Sequence, residues 1–223
     1  MDTNFWLKRW KNNEIGFHGE VANPLLVKYF PSLSLQKGSR IFLPLCGKTR
    51  DIAWLLAEGY SVVGAELSQL AIEQLFAELH TEPEITQQGE LYHYRAENLD
   101  IFVGDLFYLT NQTLGPVDAI YDRAALVALP EETRKRYTTH LMEITQSVPQ
   151  LLITYEYDQS HMDGPPFSIS SEEVNRHYTR HYEVKHLSRT EATGPLGKRV
   201  AAQEEVWHLL TRASPPDGSN FSD

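Results

Sequence analysis

The 223-residue chain holds one cysteine, Cys46. That excludes an internal disulfide and any zinc site built on several thiolates, and it points to a reducing compartment. Long apolar runs are missing too: no stretch of about 18 such residues occurs. The N-terminus, MDTNFWLKRWKNNE, is too polar for the apolar segment of a signal peptide. The expectation is therefore a cytoplasmic protein with no membrane partner, and the Asn-x-Ser/Thr triplets at Asn111 and Asn220 read as chance. Positive charge is in short supply, with 20 Lys and Arg against 30 Asp and Glu, a net −10. Such an excess of acid repels a polyphosphate backbone, so nucleic acid is not expected and small molecules are.

The chain is otherwise ordinary, with 41% hydrophobic, 22% charged and 11% aromatic residues, which excludes collagen-like, coiled-coil and wholly disordered classes. A chain of this length buries about 70% of its unfolded surface, enough for one domain with a full core. RIFLPL from Arg40 reads as a strand, CGKTRD as a turn and helix start, and IAWLLAEG as a helix closed by Gly59. YSVVGAEL, Tyr60 to Leu67, is a second strand ending in an acid, and Ser68 can cap the helix LAIEQLFAEL. Further strands are expected over Leu99–Asp105, Val117–Arg123 and Gln150–Tyr157, with a helix from Pro130 to Gln146. This alternation argues for an α/β fold built on a mostly parallel sheet. A turn-rich loop then leads through Ser171 and Glu172 into a short helix. His181–Ser188 and Val200–Leu210 read as a terminal antiparallel hairpin, and 211–223 as a disordered tail.

In an open α/β sheet the ligand lies beyond the carboxyl ends of the strands, which here carry Leu45, Cys46, Gly47, Glu66, Asp105, Leu106, Asp122 and Arg123. Glu66 follows Gly47 by 19 residues, the spacing at which an acid accepts hydrogen bonds from the ribose hydroxyls of an adenosine. PLCGK has one glycine where a pyrophosphate loop of the G-x-G-x-x-G type has three. A dinucleotide fits poorly there, and S-adenosylmethionine, which carries no phosphate, fits better.

Five stretches in order, FWLKRWKNNEIGFH, IFLPLCGK, YSVVGAELS, YDRAALVALP and DGPPFSIS, resemble the bacterial branch of the thiopurine S-methyltransferase family, over Phe5 to Leu210. The resemblance implies a class I S-adenosylmethionine-dependent methyltransferase fold, Rossmann-like, with residues 1–34 as an N-terminal helical lid segment and 35–210 as the α/β core. It also implies S-adenosylmethionine as donor, S-adenosylhomocysteine as product, and a small aromatic or heterocyclic thiol as acceptor, with selenium and tellurium species as further acceptors. By similarity the cofactor contacts fall on Trp10, Leu45, Glu66, Asp105, Leu106 and Arg123, and Phe17 lies near the acceptor. In-line methyl transfer needs alignment more than a nucleophile. Arg123 is the expected catalytic group, favouring a thiolate, with Arg189 or Arg199 as an undecided second arginine. The enzyme is expected to act as a monomer.

Plainer roles compete for several of these residues. Trp6 and Trp10 suit the core face of a helix, Asp122 and Arg123 suit an ion pair, and Asp105 suits a cap. Cys46 has no catalytic partners and reads as packing. His177, His181, His161 and Asp163 do not complete a metal site, so no metal is expected. Three rival functions remain: a non-catalytic S-adenosylmethionine sensor, an O- or N-methyltransferase of the same fold, and an NAD-dependent oxidoreductase disfavoured by the missing glycines.

Overall fold

A computed structural model describes residues 3–16 and 18–212. The chain opens with helix α1, Thr3–Lys11, and helix α2, Pro24–Tyr29, which begins where the Asn23 side chain accepts a bond from the Leu25 amide. Strand β1, Arg40–Pro44, then enters the middle of the sheet, and helix α3, Arg50–Ala57, starts at Thr49, whose hydroxyl accepts from the Asp51 amide. Strand β2, Ser61–Glu66, is followed by helix α4, Gln69–Glu78, capped by Ser68 through the Ala71 amide as its sequence predicts.

The remaining strands are β3 (Glu84–Gln88), β4 (Leu91–Ala96), β5 (Leu99–Val103), β6 (Ala119–Arg123), β7 (Gln150–Tyr157), β8 (Tyr182–Glu191) and β9 (Ala202–Thr211). Helices α5 (Asn111–Leu114), α6 (Glu131–Thr145), α7 (Ser171–Tyr178) and α8 (Gly194–Gly197) connect them. The sheet order is β3-β4-β5-β2-β1-β6-β7-β9-β8. Strands β5, β2, β1, β6 and β7 run parallel, while β3, β4, β9 and β8 join by antiparallel pairing.

The parallel strands are apolar on both sides because both faces are covered. Ile41 and Leu43 of β1 face one core with Leu26, Ile52, Leu55 and Ile72 of the helices. Phe42, between them, faces the other with Tyr137, Leu141 and Val174. Each fully buried leucine or isoleucine contributes about 1.5–3 kcal/mol relative to exposure.

The expected mostly parallel sheet and terminal hairpin are present. The hairpin joins Tyr182–Glu191 to Ala202–Thr211, slightly later in the chain than expected, and β9 runs through Thr211. The hairpin of β3 and β4 was not anticipated: β3 is exposed along its length, so its residues carry no apolar alternation to betray it. Residues 213–223, most of the expected tail, lie outside the described residues. No helix among the described residues is long and apolar enough to cross a membrane.

Candidate active site

Strand β1 lies between β2 and β6, so the loops leaving β1 and β6 diverge and open a crevice at the carboxyl ends of the strands. A cavity of about 430 Å³ occupies that crevice. Its roof comes from the N-terminal segment through Trp6, Arg9, Trp10 and His18, and its floor from Leu45 to Thr49, Asp51, Glu66, Tyr121 and Arg123. Tyr155, Pro165 and Pro166, Leu196, Arg199 and Glu204 form the far wall.

The loop after β1 turns sharply. Leu45 and Gly47 both have positive φ, 47° and 53°. A Cβ on Gly47 would stand 2.9 Å from Cζ2 of Trp10, so only glycine lets the indole of α1 rest on the loop. Trp10 is buried at 5% exposure. Its position in the cavity roof goes beyond the plain core role that its helical spacing alone allows.

Glu66 closes β2 and is 6% exposed. Its Oε2 accepts from the Gly47 amide at 2.8 Å and its Oε1 from the Ser68 amide at 2.9 Å. Burial raises its proton affinity, while the amides of Ser68, Gly47 and Leu67 oppose the rise. An ionised carboxylate has about four acceptor sites, so two amide bonds leave capacity for a pair of ribose hydroxyls. Together with the indole of Trp10 and the absence of a phosphate-binding glycine triplet, this donor and acceptor set fits S-adenosylmethionine.

Arg123 ends β6. Its β-strand neighbour Asp122 points to the opposite face, where its carboxylate accepts from the Tyr137 hydroxyl at 2.7 Å and the Leu126 amide at 3.2 Å. The ion pair within the dipeptide that the sequence allows does not form, because adjacent strand residues face opposite sides. Burial disfavours the Arg123 charge, but the fields of Tyr121, Tyr155, Asp51 and Glu204 outweigh it and raise its pKa above the ordinary guanidinium value. Asp51, 1% exposed, is fixed by the Asn23 amide at 2.6 Å and the Tyr121 hydroxyl at 3.0 Å. Burial and the Asp51 carboxylate push the Tyr121 hydroxyl well above its usual range.

Of the residues named from the sequence, Trp10, Leu45, Glu66 and Arg123 thus meet at one cavity. Asp105 and Leu106 are not in its wall. The Asp105 carboxylate accepts from the Phe107 amide at 3.0 Å and caps a short 3-10 turn, and Leu106 is buried in the core. Phe17 lies outside the described residues. Of the two candidate arginines, Arg199 lines the cavity. Arg189 is taken up by Glu156 and Glu205, at 3.1 and 3.0 Å. Cys46 sits beside Glu66, and burial pushes its thiol well above the usual range, which suits packing and not nucleophilic work. Among the described residues no cluster of three or more His, Cys, Asp or Glu is placed to hold a metal.

The sequence did not single out Asp51, Tyr121, Tyr155 or Glu204. Tyr121 and Tyr155 each sit two residues before a recognised strand end, Arg123 and Tyr157, and could have been read from alternation. Glu204 could not, because it reaches the cavity only through the antiparallel pairing of β9 with β7.

The strand order, the cavity at the reversal and the acid at the end of β2 define an S-adenosylmethionine-dependent methyltransferase fold. Solved structures agree on the fold. A Burkholderia thailandensis 1,6-didemethyltoxoflavin-N1-methyltransferase superposes with TM-score 0.64 at 12% identity, covering 93% of this chain and 87% of its own. An Anabaena variabilis S-adenosylmethionine-dependent methyltransferase superposes with TM-score 0.62 at 15% identity, covering 94% and 95%.

Residues 1–213 match the thiopurine S-methyltransferase family. A thiopurine S-methyltransferase of Xanthobacter autotrophicus is 53% identical over 214 residues, 96% of this chain and 100% of that protein. One from Teredinibacter turnerae is 47% identical over 209 residues, 94% and 97% of the two chains. The chain belongs to the thiopurine S-methyltransferase family, and its cofactor is S-adenosylmethionine.

Proposed function

We propose that this enzyme methylates the sulfur of small aromatic or heterocyclic thiols, acting in the cytoplasm as a monomer. The observation that carries the reading is Arg123, a cation held charged in the cavity wall with Arg199 beside the same space. The bound cofactor supplies a methyl group on a sulfonium cation. Glu66 holds the ribose, and Leu45 and the indole of Trp10 cover the cofactor and exclude water. Residues 1–34 act as a lid, since α1 brings Trp6, Arg9 and Trp10 over the cavity mouth. Arg123 lowers the pKa of an approaching thiol by favouring its anion, and an anion of selenium or tellurium would be held in the same way.

The test is turnover with a panel of heterocyclic and aryl thiols, each beside its oxygen analogue, following S-adenosylhomocysteine. Selective turnover of the thiols supports the reading. Preference for the oxygen analogues would replace it with O-methylation, and donor binding without turnover would replace it with a sensor.

A further inference from the structure

Among the described residues three carboxylates line the cavity: Asp51, Glu66 and Glu204. Both oxygens of two of them are already bonded within the protein. Glu66 gives one oxygen to each of two backbone amides, and Asp51 gives one to the Asn23 amide and the other to the Tyr121 hydroxyl. Glu204 differs. Among the described residues no backbone amide donates to it, and it stands directly across the β7–β9 ladder from Tyr155. Its neighbours in the cavity are the Tyr155 hydroxyl and the Arg123 guanidinium. A guanidinium and a carboxylate therefore line the same cavity, one a donor and one an acceptor, facing the space an acceptor molecule must enter.

We propose that Glu204 determines acceptor specificity by accepting the ring N–H proton of a heterocyclic thione, whose sulfur lies toward Arg123. The inference rests on the thiol-acceptor reading above and narrows it. A neutral heterocyclic thiol with nitrogen beside the C–S carbon exists largely as its N–H thione. Its N–C=S unit offers a donor and an electron-rich sulfur on a common carbon, complementary to a carboxylate and a guanidinium that line one cavity. An arylthiol offers Glu204 no proton donor on its ring, and its thiolate is repelled by the carboxylate.

The proton balance closes within the cavity. The ring proton passes to the Glu204 carboxylate, and the N–H electron pair becomes the ring C=N bond. The C=S π pair forms the new S–CH3 bond, and the pair of the broken methyl–sulfur bond stays with the departing thioether. The Glu204 acid then returns its proton to water. Burial raises the proton affinity of Glu204, while Arg123 and Tyr155 oppose the rise.

The experiment compares the whole enzyme with E204Q on pyridine-2-thione and pyrimidine-2-thione against thiophenol and 4-chlorothiophenol. The kcat/KM ratio of thiones to arylthiols is expected to fall about ten-fold or more in E204Q. A second reading uses enzyme saturated with S-adenosylhomocysteine, where no methyl can move. Titration calorimetry should show pyridine-2-thione losing affinity in E204Q by a larger factor than thiophenol. Should E204Q fail to fold, E204D withdraws the carboxylate by one methylene and is expected to lower the same ratio. An unchanged ratio, with both acceptor classes affected alike, overturns the role of Glu204 and leaves the thiol reading standing. Wild-type enzyme with no turnover on any thiol overturns both.

Discussion

The amide of Gly47 donates to the carboxylate of Glu66 at 2.8 Å, joining the loop after β1 to the end of β2. The acid proposed to hold the cofactor ribose is thereby oriented by the same residue on which the Trp10 indole rests. Helix α1, the loop and Glu66 form one contiguous unit, so on the proposed reading a change at any of the three should be felt at the cofactor.

Gly47→Ala tests that unit. The new Cβ would meet Trp10 at 2.9 Å in a left-handed backbone, and the indole must move. The expected outcome is a loss of about 1–2 kcal/mol in S-adenosylhomocysteine affinity, read by titration calorimetry. Unchanged affinity would detach Trp10 from the cofactor.

Glu66→Ala removes the acceptor of two buried amides as well as the proposed ribose partner. Donor affinity should fall by about 1–3 kcal/mol, and thermal stability should fall with it because the Gly47 and Ser68 amides lose their partner. A variant that melts earlier but binds the donor as before would make Glu66 a purely structural group.

Arg123→Ala should depress kcat on thiols more than it raises KM for the donor. It should also cost stability, because Asp51, Tyr155 and Glu204 lose the cation that compensates them in a partly buried site. Loss of stability with kcat intact would assign the residue to the fold alone.

Asp122 gives a pH signature. Fully buried, its carboxyl is pushed up to about 6, chiefly by burial, against an ordinary 3.8, with bonds from Tyr137 and the Leu126 and Ala125 amides opposing the rise. Between these values the folded state binds the proton more tightly than the unfolded chain, so stability falls as pH rises through the window, by about 3 kcal/mol from this group. Denaturant unfolding from pH 4 to 7 should show this component in the wild type and not in Asp122→Asn. Identical slopes for the two proteins would remove Asp122 as its source.

The sequence alone determined the α/β class, the positions of the five parallel strands and the terminal hairpin. Those features rest on local pattern: apolar runs such as Ile41–Leu43, caps such as Ser68, and an acid at fixed distance from a loop glycine. Leu45, Glu66 and Arg123 were legible for the same reason, since each lies at the end of a strand that local composition marks, and the family resemblance drew in Trp10. The β3–β4 hairpin was not legible, because an exposed edge strand carries little apolar alternation.

Only the tertiary structure decided what surrounds Arg123. Asp51, Tyr155 and Glu204 lie 72, 32 and 81 positions away in sequence; sheet pairing brings Tyr155 and Glu204 to the cavity, and the packing of α3 on the sheet brings Asp51. The same pairing ties Arg189 to Glu156 and Glu205, whereas Arg199 reaches the cavity. Local sequence fixes the period of each strand and therefore which residues share a face. Which strands become neighbours depends on burying both faces of the sheet at once, a condition met only when the whole chain is assembled.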